Sequence, residues 1–129
     1  MAESNVARRI HEAYAKYNEG DFDGVLELLD EDVTFLPPPS SPEPDALHGR
    51  AAVGDYMRPN LFGEQAAEPQ EIIEEGDRVL VVARVWARGR ESGAEIDQTV
   101  FHLWQLDGER AVRFEVHMDR DEALAALRA

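Results

Sequence analysis

Four histidines and not one cysteine set the limits of the chemistry this chain can do. Without a thiol there is no cysteine nucleophile, no disulfide and no zinc–thiolate site. Among the imidazoles, His102 stands apart because it falls in an alternating run. Ile96, Gln98, Val100, His102 and Trp104 share one face of a strand, and Asp97, Thr99, Phe101, Leu103 and Gln105 take the other. An unperturbed imidazole titrates near neutrality, so on a largely apolar face it can donate a hydrogen bond or move a proton. The same placement also suits a core histidine satisfied by one hydrogen bond to a helix tyrosine or a water. Tyr17 and Tyr56 are the candidate polar handles beside it, although buried tyrosines also commonly tie their hydroxyls to backbone.

The remaining polar residues point to less chemistry. His11 and His48 are distant in sequence and have no carboxylate at metal-ligand spacing, so neither a metal nor a cofactor is expected. No glycine-rich phosphate loop, Ser-His-Asp signature or nucleotide fingerprint is present. Arg113, Glu115 and His117 alternate with Val112, Phe114, Val116 and Met118, which puts the charged set on a solvated or dimer-facing surface. Trp86 shares a face with Arg84 and Arg88, an arrangement suited to a subunit interface where arginine stems pack on an indole.

The element that must position His102 is a β-hairpin over residues 95–119, turning at Asp107-Gly108, with one face mostly apolar. Other elements must cover that face. Residues 4–19 space Val6, Ile10, Ala13, Tyr14 and Tyr17 as an amphipathic helix ended by Gly20. Asp21 can cap a second, short helix with Phe22, Val25, Leu26 and Leu29 inward, and residues 33–36 read as a strand. The run Pro37 to Pro44, PPPSSPEP, is a stiff surface loop that could border a pocket mouth. A helix from Gly49 buries Val53, Tyr56 and Met57 and stops at Pro59. Strands follow over residues 68–75 and 78–88, joined by Gly76-Asp77, then the hairpin, then a short helix over residues 119–127. The expectation is one α+β domain spanning residues 1–129, with helices on one face of a curved antiparallel sheet.

Composition narrows the partners. Thirteen Lys and Arg against 27 Asp and Glu give a formal charge of −14, the wrong sign for nucleic acid or an anionic membrane. The first 18 residues carry Arg8, Arg9, His11 and Glu12, so neither a signal peptide nor a membrane span is expected there, and a cytoplasmic protein is.

In order, the segments YNEGDFDGVLELLDEDVTF, the proline loop, HGRAAVGDYM and VRFEVHMDRDEALAAL resemble the SnoaL-like branch of the nuclear transport factor 2-like superfamily over nearly the whole chain. The resemblance implies a cone in which a strongly bent sheet wraps helices around an apolar cavity, often in a homodimer. It implies a hydrophobic small-molecule ligand lined by Tyr17, Phe35, Tyr56, Val85, Val100, Trp104, Phe114 and Val116, with His102 the candidate catalytic residue of an isomerase- or cyclase-type site. The alternative is a non-catalytic ligand-binding or dimerisation domain with His102 structural. Matching the ketosteroid isomerase segment onto Asn18 to Gly24 carries its oxyanion-hole tyrosine onto Ala13, its general base onto Pro37 and its second oxyanion donor onto His102. Matching limonene-type epoxide hydrolases carries their catalytic set onto Val116, Ala83 and Val85, all apolar. Both of those mechanisms are disfavoured, and a single acid/base residue of the cyclase type is left.

Overall fold

The computed structural model describes residues 5–37, 46–57, 62–89 and 93–129, with the side chains of residues 56–57 and 62–64 outside the description. Residues 38–44 of the proline loop, Pro59 and the Tyr56 side chain therefore lie outside the described residues. The chain runs α1 (Asn5–Asn18), α2 (Phe22–Glu27), β1 (Leu29–Leu36), β2 (Leu47–His48), α3 (Arg50–Met57), β3 (Phe62–Glu75), β4 (Arg78–Gly89), β5 (Glu95–Asp107), β6 (Arg110–His117) and α4 (Arg120–Arg128). The six strands among the described residues form one curved, open sheet in the order β2-β1-β6-β5-β4-β3.

The long arms pair as the alternation requires. Val81 lies opposite His102 and His102 opposite Val116, while Val79, Trp104 and Phe114 form the next row on the same face. The hairpin turn sits one residue later than expected, because Asp107 pairs with Arg110 and leaves Gly108 and Glu109 as the two central residues. Only Gly108 has positive φ (63°), the pattern of a type II′ turn. Antiparallel pairing holds along β3 to β6, but β1 joins β6 in parallel. Strands β1 and β6 are far apart in the chain, so no tight turn constrains their direction. β1 also begins at Leu29, a position expected on the second helix. Leu29 is buried all the same, because both assignments point it at the same core.

Side-chain amides and guanidinia tie the helices to strand backbone. Asn18, at the end of α1, donates to the Ala67 carbonyl (3.0 Å) and accepts from the Ala67 amide (2.8 Å), satisfying both groups of a residue in edge strand β3. Arg50 at the start of α3 donates to the Leu29 carbonyl through Nε and Nη2. Asp21 caps α2 and Asp119 caps α4, each accepting from a backbone N–H three residues on.

The five-residue run Val79 to Ala83 shows why one covered face is not enough. Val79, Leu80, Val81 and Ala83 have no accessible surface and Val82 has 7 %. A strand buried along consecutive residues needs cover on both sides. On the inner face Val79, Val81 and Ala83 meet Ile10, Tyr14, Leu26, Val33 and Phe35 from α1, α2 and β1. On the outer face Leu80, Val82, Phe101 and Leu103 meet Ala123 and Leu127 of α4. The last helix, α4, thus covers part of the face that the sequence pattern assigns to solvent or a dimer partner. Replacing Leu80 by Ala should cost about 3 kcal/mol, the usual range for emptying a closed core site being ~2–5. Urea unfolding checks it, with an unchanged m-value expected.

Candidate functional site

Three side chains from two elements meet on the inner face. α1 delivers Tyr14 from its buried stripe, and β5 delivers His102 and Trp104 from alternate positions. Tyr14 Oη lies 2.5 Å from His102 Nδ1, and Trp104 Nε1–H donates to Tyr14 Oη at 3.3 Å. These bonds determine the histidine tautomer. Tyr14 is buried and already accepts from Trp104, so its own proton needs an acceptor, and His102 Nδ1 is the partner at hand. Nδ1 therefore accepts, and the ring proton sits on Nε2. No partner for Nε2 occurs among the described residues, and the His102 side chain keeps some accessible surface.

Burial controls both titrations. Desolvation lowers the His102 pKa to about 4, so the ring is neutral at pH 7. Desolvation also pushes the Tyr14 phenol well above its ordinary value, against a smaller opposing effect from the Trp104 hydrogen bond. The site at neutral pH is thus an uncharged relay from Trp104 N–H through Tyr14 O–H to His102, ending in an N–H donor. Such a neutral imidazole polarises a carbonyl or holds an oxyanion without becoming charged itself.

The surroundings are aromatic. Phe114 sits 5.0 Å from the His102 ring and 4.2 Å from that of Trp104, and Phe35 stacks on Phe114 at 5.2 Å. Phe35, Val100 and Trp104 are buried in the inner cluster, with Val85, Phe114 and Val116 packed against it. Tyr17 also borders this cluster, but its ring rests on Phe22 at 5.7 Å. The hydroxyl facing His102 belongs to Tyr14, the neighbour of the aligned Ala13. Ala13 and Pro37 are buried without a group able to carry the roles their aligned positions imply. Gln98 is exposed, opposite Val85. Among the described residues no buried charged side chain occurs, and no group of three His, Asp or Glu residues could hold a metal.

Helical spacing puts both Tyr14 and Tyr17 on the apolar stripe of α1. The stripe gives the angle around α1, and only the packed height of α1 over β5 decides which tyrosine meets the histidine. A signal did exist, since Tyr14 is one position from the aligned Ala13.

The outer face carries different chemistry. Arg84 forms a fork with Asp97 through two bonds of 2.9 and 2.6 Å, and Arg88 pairs with Glu95 while its guanidinium lies 5.6 Å from the half-buried Trp86 ring. On β6, Glu115 accepts from Arg113 Nε at 2.7 Å and lies 3.0 Å from His117 Nε2.

The low pKa of His102 has a sign that can be tested. Between about pH 4 and 6.5 the unfolded chain binds a proton at this residue and the folded one does not. Stability from this residue is therefore complete above pH 6.5 and falls as pH drops towards 4. Going from pH 7.5 to pH 5 should cost the wild type about 2 kcal/mol more than His102→Gln, at ~1.4 kcal/mol per pH unit below 6.5. Urea titrations of both proteins at the two pH values measure it, and equal losses would refute a desolvated neutral imidazole.

Comparison with known proteins places the chain in a family. Residues 10–114 match the family described as the SnoaL-like domain. No curated protein sequence matches. Among solved structures, a nuclear transport factor 2-like protein of unknown function from Burkholderia pseudomallei is 29 % identical, with a TM-score of 0.80 over 98 % of this chain and 100 % of that one. SalBIII, an epoxide hydrolase/cyclase-like enzyme with a role in pyran ring formation in the polyether salinomycin, is 22 % identical, with a TM-score of 0.77 over 89 % and 91 % of the two chains. RV0760c from Mycobacterium tuberculosis, solved with estradiol-17β-hemisuccinate, is 14 % identical, with a TM-score of 0.79 over 92 % and 97 %. Among the described residues no helix is long and apolar enough to cross a membrane. With the family match covering most of its length, the chain belongs to the SnoaL-like domain family and carries the cone-shaped α+β fold of the nuclear transport factor 2-like proteins.

Proposed function

We propose that this protein is a cytoplasmic binder of a hydrophobic, carbonyl-bearing small molecule, and that it acts on that molecule as an isomerase- or cyclase-type enzyme through His102. The observation that carries this reading is the Tyr14–His102 hydrogen bond, which turns Nε2–H away from the tyrosine and leaves it without a partner among the described residues. A ligand whose flat body packs on the partly buried Phe114 and Val116 could offer its carbonyl oxygen to that N–H. Tyr14 and Trp104 would then hold the imidazole in the donor tautomer while charge develops on the oxygen. With no carboxylate buried among the described residues and both His102 nitrogens in use, the C–H proton would leave to water, so the reading favours a substrate whose C–H is already acidified by flanking carbonyls. The structural kinship with a cyclase-like enzyme and with a steroid-complexed protein supports this class of ligand.

A second reading has its own observation. Trp86, half-buried beneath Arg88 on the outer sheet face, suits a homodimer contact, in which case the domain would bind or dimerise without catalysis and His102 would be structural. Trp86→Glu separates the two aspects: it should convert a dimer to a monomer in sedimentation velocity while leaving inner-face ligand binding intact.

The direct test titrates the protein with flat polycyclic ketones, terpenoids and fatty acids while following tryptophan emission. Saturable change with one class is expected. His102→Ala should weaken binding roughly tenfold, the loss of one hydrogen bond worth ~1.4 kcal/mol, and the bound class then becomes the substrate panel for turnover. No response from any class, together with marked destabilisation of His102→Ala, would make the histidine structural and end the catalytic reading.

A further inference from the structure

A cleft of about 400 Å³ opens on the outer face of the sheet, across β5 from His102, and is lined by Arg78, Leu103, Gln105, Arg113, Glu115, Ala126 and Ala129. Its volume lies within the ~300–1,000 Å³ typical of small-molecule sites. Leu103 forms an apolar floor beside Gln105, because both occupy the outward positions of β5. β6 supplies one wall, with Arg113 opposite Gln105 and Glu115 opposite Leu103. Arg78, opposite Gln105 on β4, supplies the other wall together with the end of α4.

The charges of the cleft are largely assigned. Arg78 Nη1 donates to the carbonyls of Ala126 and Ala129, a guanidinium on the negative end of a helix. Arg113 uses Nε on Glu115, and among the described residues its two terminal nitrogens have no partner. Burial raises the Glu115 carboxyl, but hydrogen bonds from Arg113 and His117 outweigh it and hold the group below its ordinary value, so it is ionised and already engaged. Of the charged side chains in the lining, Arg78 and Glu115 are thus engaged, and Arg113 keeps its two terminal nitrogens for a ligand. We propose that this cleft is a second small-molecule site, selective for a monocarboxylate with a compact apolar body. The carboxylate would lie on the free side of the Arg113 fork with the Gln105 amide beside it, and the body would rest on Leu103 and Ala126. Inorganic phosphate is disfavoured, because its average charge at neutral pH exceeds one and it has no apolar body for Leu103, while Arg113 alone would face it, beside Glu115 and within the field of a strongly acidic protein.

Benzoate is the probe, with inorganic phosphate and benzyl alcohol as the charge-only and body-only arms, each titrated into the isotopically labelled full chain. The readouts are the NMR signals of the Gln105 side-chain amide and the Arg113 Nε–H. Both groups lie on the face opposite His102, so they report on the cleft and not on the inner site. Expected are saturable shifts with benzoate, far weaker ones with the other two, and at least a roughly tenfold loss of benzoate affinity in Arg113→Gln, as removal of a charge-assisted fork implies. Arg113→Lys, which keeps the charge and loses the fork, should fall between. If Arg113→Gln does not fold, Ala126→Leu, which fills the cleft and leaves the ion pairs in place, should abolish the shifts instead. Absence of saturation, equal binding of phosphate, or benzoate affinity unchanged in the variants would each overturn the assignment.

Discussion

Everything in this molecule depends on burying a strand from both sides. Val79 to Ala83 is apolar at five consecutive positions, and β4 lies inside the sheet between β3 and β5. A strand of that kind forces two layers of cover, and the protein provides them from opposite ends of the chain: α1 to α3 inside the curve, α4 outside. The sheet thereby becomes a partition. On one side of β5 sits an uncharged hydrogen-bonded relay among aromatic rings, and on the other a cleft of arginine, glutamate and glutamine. Period-2 alternation keeps two such different environments only one residue apart along the strand.

The inner environment follows from what water exclusion does to ionisable groups. An imidazole and a phenol placed together in a low-dielectric setting both give up their charged forms, and the stable arrangement is one in which each proton has a single acceptor. Trp104 enforces this by occupying a lone pair of Tyr14, so the tyrosine must give its own proton to His102. The neutral ring then turns an N–H, and not a free lone pair, away from the tyrosine. Holding a neutral donor in place costs stability at acid pH, and the aromatic packing of Phe35, Phe114 and Trp104 offsets that cost by large apolar contact.

The links between elements are mostly side chain to backbone, and they fall where the sheet has unpaired groups. Asn18 serves both polar groups of Ala67 on edge strand β3, and Arg50 serves the carbonyl of Leu29 where β1 begins. Such bonds resist sliding, because shifting α1 by one turn would leave the Ala67 amide and carbonyl without partners. They set the height of α1 over the sheet, and that height brings Tyr14 and not Tyr17 to His102.

The sequence by itself determined the α+β class, the order of elements apart from the two-residue β2 and the first six residues of β3, the faces of β5 and β6, and the presence of His102 among apolar neighbours. These are local properties, carried by periodicity, capping residues and turn glycines, and by segment order for the family resemblance. Only the tertiary structure decided the parallel pairing of β1 with β6, the second covered face beneath α4, and the tyrosine that serves the histidine. Each of those depends on contacts between residues far apart in the chain. The Tyr14–His102 pair, 88 positions apart, is the clearest case. A helical stripe specifies an angle and an alternating strand specifies a face, but neither specifies how far one element slides along the other, and hydrogen bonds formed only after packing settle that last coordinate.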